Sequence, residues 1–289
     1  MPAENMLNVS PETIGLPSRD ELEEMRIWDL HFHGFGQMDE LMPYIERMRI
    51  ERLFALGVGG WGTGEETRKR DARDRQRLEK WHDLVSGITV IDPTRPEASL
   101  DKIDRWIADG PAVGIKYSGG GNEEGMTCAH PNNDPIIERA GELGAIIYIH
   151  TWIKVGGDPR YPGGGNNSGE STPMDVAELA SRHPDVPMIC GHSGGDWELG
   201  TRAVRPHENV LFEFSGGDPW SGAADLALNE LGADRLCWGG HLSSRSYSTE
   251  LAKIYDADMT DAERKKALGG NLRRIGGEIM RRKGYTVES

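Results

Sequence analysis

Basic side chains are scarce in this chain: 33 Lys and Arg stand against 47 Asp and Glu, a formal net charge of −14. Clustered basic residues are what neutralise a phosphate backbone, so the deficit argues against a nucleic-acid partner. Cysteine is scarcer still. Cys128, Cys190 and Cys237 are an odd number without CxxC spacing, which excludes a disulfide framework and a structural zinc knuckle. No apolar run approaches the ~18 residues of a membrane span. The polar N-terminal stretch lacks the basic-then-apolar pattern of a secretory leader. These absences leave a soluble protein, expected in the cytoplasm, whose partner is a small molecule.

Linkers are missing too: no Ser/Pro/Gln tract and no charge block divides the 289 residues. Residues 1–25, with Pro2, Pro11 and Pro17, read as an N-terminal extension wrapped on the outside of the body. From 26 to 289, short apolar runs alternate with helical patterns. Strands are expected over 26–33, 52–58, 87–92, 112–118, 145–151, 187–192, 209–215 and 235–241. Helices are expected over 38–49, 67–84, 97–109, 134–144, 173–183, 221–231 and 246–257. Thr172 with Pro173 and Asp175 predicts the start of one helix, and Thr260 with Glu263 is a capping-box pattern for a last one. Strict alternation of strand and helix implies a parallel sheet. An open doubly wound sheet would show a Gly-rich phosphate loop after its first strand, whereas this first strand ends in histidines. The fold expected is therefore a single-domain α/β protein, a (β/α)8 TIM-type barrel, for which ~250 residues suffice. The long Gly-rich loop over 153–171 suggests a lid or substrate loop.

The chemistry gathers at strand ends. In RIWDLHFH, alternation sends Trp28, Leu30 and Phe32 outward and Asp29, His31 and His33 inward. Two imidazoles at i and i+2 can reach one metal, because a strand rises only ~6.6 Å over two residues. His150 in AIIYIHTW, His192 in MICGHSGG and His241 in CWGGHLSS end three further strands. Imidazole suits zinc, iron, nickel, copper or manganese. His82, His130, His183 and His207 fall in helix or loop contexts and carry no catalytic expectation. Lys116 is expected to hold a substrate carboxylate, with a metal-bridging carbamate the lesser alternative. Glu213 reads as a proton shuttle or a salt-bridged barrel glutamate, and Cys190 as a small packing residue. Trp61, Tyr117, Trp152, Trp197 and Trp220 follow strand ends and could wall a pocket for a flat substrate. Arg160 and Arg245 are candidate anion clamps.

These motifs, DLHFH, GIK, HTW, GHSGG and the late GGNLRRI, resemble in order the amidohydrolase superfamily, within it the barrel hydrolases and decarboxylases of the amidohydrolase 2 type. The resemblance spans about residues 26 to 276. It implies a metal site on His31, His33 and His150, with His192 a further ligand or a partner of substrate or water. One divalent metal is implied, zinc first, manganese or iron as alternatives, and a homodimer by family habit. The family's strand-eight segment resembles FGSD, and its aspartate takes a proton from water. Here the segment is WGGH, with His241 in the aspartate's place. His241 is then a ligand and base, or the chemistry needs no water, or the site is catalytically silent. Asp196, Glu213 and Asp218 are the candidates to supply the missing carboxylate. The leading expectation is a metal-dependent hydrolase of a small amide, ester or lactone, with His241, His192 and Lys116 catalytic and Lys116, Trp152, Arg160 and Arg245 binding substrate. The alternatives are a non-oxidative decarboxylase and a non-catalytic binding barrel.

Overall fold

A computed structural model of the chain describes residues 17–62, 64–154, 165–217 and 221–287. Eight strands follow one another in a single parallel sheet: β1 (Ile27–Phe32), β2 (Ile50–Val58), β3 (Val85–Ile91), β4 (Ala112–Tyr117), β5 (Ile146–Ile149), β6 (Met188–Cys190), β7 (Val210–Phe214) and β8 (Leu236–Trp238). Each pairs in parallel with the next, from Ile27 beside Ile50 to Phe214 beside Trp238. Their residues are buried almost throughout, as expected of a parallel sheet covered by helices on its outer face. The fold is a (β/α)8 barrel.

The helical layer starts with α1 (Arg19–Glu24), which lies in the stretch read as an extension. Its Ser18 forms a capping box with Glu21, and Leu22 is buried. Then come α2 (Met38–Arg47), α3 (Glu65–Lys80), α4 (Pro96–Ile103), α5 (Asp134–Glu142) and α6 (Pro173–Arg182). The layer ends with α7 (Trp197–Val204), α8 (Ala223–Leu231), α9 (Tyr247–Tyr255), α10 (Asp261–Lys265) and α11 (Asn271–Arg282). Thr172 caps α6 with Asp175, and Thr260 caps α10 with Glu263, both as the sequence predicts. Helix α7 was not expected. It is capped by Asp196, whose side chain accepts from the Leu199 amide at 3.0 Å.

The eight-stranded ring closes differently at its last seam. Between β8 and β1 the bonds run through the side chain of Asp29 and the chain just past β8. Asp29 is fully buried, and its Oδ1 accepts from the amides of His31 (2.8 Å) and Gly240 (2.6 Å). Its Oδ2 accepts from the Tyr247 hydroxyl at 3.0 Å, and the His33 amide reaches the Leu242 carbonyl at 2.6 Å. A side chain at Gly240 would run into the Tyr247 ring and approach Asp29 Oδ2, so only glycine lets the backbone come this close. Burial pushes the Asp29 carboxyl up to about 6, against the hydrogen bonds that favour its charged form.

Removing this carboxylate would strand three buried donors at ~1–3 kcal/mol each. Asp29→Ala should therefore cost about 3 kcal/mol or more in urea unfolding. A loss under ~1 kcal/mol would show that the seam is held elsewhere.

Candidate metal centre

Every expected histidine of the site stands at the C-terminal rim of the barrel, but by three different routes. His31 is on β1 and fully buried, and His33 follows the strand by one residue and is exposed. His150 follows β5 directly. His192 and His241 were expected to end their strands. Instead β6 stops at Cys190 and β8 at Trp238, and both histidines occupy the left-handed backbone region, at φ 57° and φ 51°. Such a conformation is costly for a residue with a Cβ, and it swings the two rings back over the barrel axis.

The rings converge. His31 lies 4.8 Å from His33, 4.7 Å from His192 and 4.3 Å from His241, between ring centroids, and His150 lies 4.5 Å from His192. Burial, reinforced by neighbouring positive charge, lowers every one of these imidazoles: His33 to about 3, His241 to about 4, His31 and His192 well below the usual value, and His150 more mildly. All five are neutral at neutral pH.

Their hydrogen-bond partners set two of the tautomers. His192 Nδ1 is 2.9 Å from the Ser215 carbonyl, which can only accept. Nδ1 therefore carries the proton, and the bare Nε2 faces His150 Nδ1 at 3.0 Å. The Lys116 ammonium donates to His31 Nε2 at 3.4 Å, so the His31 proton sits on Nδ1, beside the Tyr148 hydroxyl (2.8 Å) and Ser215 Oγ (3.0 Å). His31 Nε2 also faces His33 Nε2 at 2.9 Å. Donor atoms of His31, His33 and His241 lie within 4.8 Å of one another. Each of these short nitrogen pairs can be bridged by the N–H that one neutral ring already carries, or by a cation that both lone pairs face. Neutral, convergent imidazoles fit a divalent metal.

Below the rings, inside the barrel, lies Glu213. Its Oε2 accepts from the His192 amide (2.9 Å) and the Tyr148 hydroxyl (3.3 Å), and Oε1 stands 3.6 Å from His31 Nδ1. Burial raises its carboxyl to about 7. Lys116, inward on β4 and buried, is lowered by desolvation to about 8. At the outer edge, Glu170 Oε1 is 3.8 Å from His150 Nε2, while its other oxygen is 3.5 Å from Lys154.

A cavity of about 230 Å³ opens beside His192, with Trp152, Trp197, Phe214, Arg245 and Lys253 in its lining. Side chains at Gly195 or Gly216 would collide with Trp152 or His192. Trp152 and Arg245 both line this cavity. Arg160, Asp218 and Trp220 lie outside the described residues. Asp196 is spent on its helix cap, Trp61 packs under Arg95 and Lys102, and Tyr117 turns away from the barrel interior. Sequence reasoning missed Tyr148, Ser215, Glu170 and Lys253. Tyr148 and Ser215 were open to discovery, since each stands two residues from a recognised inward or rim residue and so shares its face.

A barrel with a histidine centre at its C-terminal rim defines the class. The amidohydrolase family model matches residues 28–275, and the chain belongs to that family. No curated protein sequence matches it. Among solved structures it resembles 5-carboxyvanillate decarboxylase from Novosphingobium aromaticivorans, complexed with manganese and 4-hydroxy-3-methoxy-5-nitrobenzoic acid. That match has 18% identity, a TM-score of 0.63, and covers 82% of this chain and 79% of the other. It also resembles 2,6-dihydroxybenzoate decarboxylase from Rhizobium (16%, 0.64, 87% and 98%). A third likeness is dihydroxybenzoic acid decarboxylase from Polaromonas sp. JS666, with bound manganese and 2-nitroresorcinol (14%, 0.65, 96% and 90%). Identities this low establish the fold. These neighbours overturn the leading expectation of an amide, ester or lactone hydrolase and favour the decarboxylase alternative. The described part of the site is in keeping with this: β8 is followed at the rim by His241, where the hydrolase expectation needed a carboxylate.

The His31→Ala/His33→Ala double variant should lose metal binding altogether, as read by elemental analysis after loading and dialysis. Unchanged metal content would remove these two rings from the centre.

Proposed function

We propose that the chain is a metal-dependent, non-oxidative decarboxylase of a small aromatic acid. The observation that carries this reading is the cavity beside the histidines. Indole and phenyl groups wall it, glycines give it room, Arg245 adds a cation beside the Glu250-paired Lys253, and none of the described lining residues is acidic. A flat anion suits such a slot and a cation does not.

The family resemblance gives the divalent metal to His31, His33 and His150, with His192 beside them, whereas the three rings whose nitrogens lie within 4.8 Å of one another are His31, His33 and His241. Manganese or zinc is the choice to test, and the metal, when bound, supplies Lewis acidity toward substrate oxygen. Lys116 points its ammonium at the same space and holds the substrate carboxylate. Arg245, exposed at the cavity rim, grips a second polar substituent, and Trp152 offers a face for the ring. In the reaction the bond from ring carbon to carboxylate breaks, carbon dioxide leaves, and the electron pair stays on carbon. One proton must then reach that carbon. His241 moves it: its ring stacks on His31 at 4.3 Å, and its Nδ1 is 2.5 Å from Ser244 Oγ, a hydroxyl in the exposed segment past β8.

Manganese-loaded protein should release carbon dioxide from 2,6-dihydroxybenzoate, 5-carboxyvanillate or a related hydroxybenzoate, with one solvent deuteron entering the ring in heavy water. His241→Ala should lower that turnover ~100-fold, the usual size of a general acid–base contribution. Tight binding of such acids without any carbon dioxide release, across the panel and with metal present, would make this a binding barrel.

A further inference from the structure

Five neutral imidazoles and an ammonium make an unusual nest for a divalent cation, because the described residues seat no carboxylate among the rings and Glu170 reaches only the outer edge, 3.8 Å from His150. A buried cation needs opposite charge nearby, since water is not there to solvate it. Four carboxylates among the described residues come into question, and Glu250 is spent on Lys253 and the Gly216 amide. Asp29 is occupied: both oxygens take hydrogen bonds that close the β1–β8 seam. Glu170 is shared with Lys154. Glu213 is different. It is fully buried, its Oε1 has no hydrogen-bond partner, and that oxygen stands 3.6 Å from His31 Nδ1.

Glu213 also touches two of the site histidines at once. The His31 Nδ1 proton meets the Tyr148 hydroxyl, and that hydroxyl donates to Glu213 Oε2. The same oxygen accepts the His192 amide, the peptide group that must be pinned to hold His192 in its left-handed turn. Glu213, His31 and His192 have ligating atoms within 4.8 Å of one another.

We propose that Glu213 is the positioning residue of the centre: from inside the barrel it fixes the orientation of His31 and His192 and, as a carboxylate when a cation is bound, supplies negative charge that the described rings lack. It acts through the histidines, by way of Tyr148 for one and the backbone amide for the other. The rim can then be all imidazole, because the counter-charge sits one layer below. This inference rests on the reading of the histidines as a metal centre.

The test is metal affinity, measured with manganese(II) and zinc(II) in competition with a chelating dye, on the parent and three variants. Glu213→Gln keeps an oxygen for the His192 amide and removes the charge. It should weaken binding ~10–100-fold, the size typical of a partner behind a metal ligand. Tyr148→Phe, which leaves Glu213 and its bond to His192 in place, should weaken binding several-fold. It tests the His31 arm whether or not Glu213→Gln folds. Glu213→Gln/His241→Asp returns a carboxylate to the rim and should recover most of the lost affinity, with a changed manganese(II) electron paramagnetic resonance spectrum. Affinity in Glu213→Gln within about twofold of the parent would overturn the proposal. So would a double variant no better than Glu213→Gln, since a purely structural glutamate is not replaced by charge elsewhere. A parent that binds neither metal would instead remove the metal centre itself.

Discussion

The Asp29 carboxylate is the constraint on which the rest of the barrel depends. Seven of the eight strand seams are ordinary parallel ladders, interchangeable in kind, whereas the eighth is drawn together around one buried side chain. That chain is two residues before His31 on the same strand. The Asp29 oxygen that receives the Gly240 amide also receives the His31 amide, so the position of β1 and the path of the chain beyond β8 are set by one atom. His31, His33 and His241 consequently share a frame. A looser seam would separate His241 from the β1 pair before it disturbed any other part of the site.

Burial does the remaining electrostatic work. Each imidazole is kept neutral mainly by desolvation, with the Lys116 ammonium adding to the effect. Neutral rings offer lone pairs, and the carbonyl of Ser215 and the ammonium of Lys116 decide which nitrogen of His192 and of His31 presents one. Orientation therefore comes from partners that are not themselves ligands. The same low polarity that keeps the histidines uncharged makes an uncompensated cation costly, which is why the charge state of Glu213 bears on the whole centre.

Much of this was legible in the sequence, for a physical reason. Parallel strands buried on both faces read as apolar runs, and barrel sites gather where those runs end, so DLHFH, IHTW and ICGHSGG mark both strand and site. Legibility failed where geometry depends on contacts across the sheet. Nothing in MICGHS says that β6 ends at Cys190 and that His192 turns left-handed; the amide bond to Glu213, on the next strand, does that. Tyr148 looks like one more apolar strand residue until its hydroxyl is seen between His31 and Glu213. Helix α7 is short, and its Asp196 cap follows two glycines that read as loop.

The glycines explain why left-handed turns and a binding slot occur together. Gly194 and Gly195 follow His192 at φ 75°, and Gly216 and Gly217 follow Ser215 at φ 60° and φ 64°. These turns fold the chain sharply back after β6 and β7, which brings His192 over the barrel axis and the Ser215 carbonyl up to its Nδ1. A Cβ on Gly216 would stand 2.9 Å from that nitrogen and 3.1 Å from His241, filling the space between the two rings. Glycine is thus required twice over at this position, for its backbone angle and for the volume it leaves. The ring positions and the cavity are consequences of one choice of backbone, and a substitution at Gly216 cannot alter the slot without also moving His192.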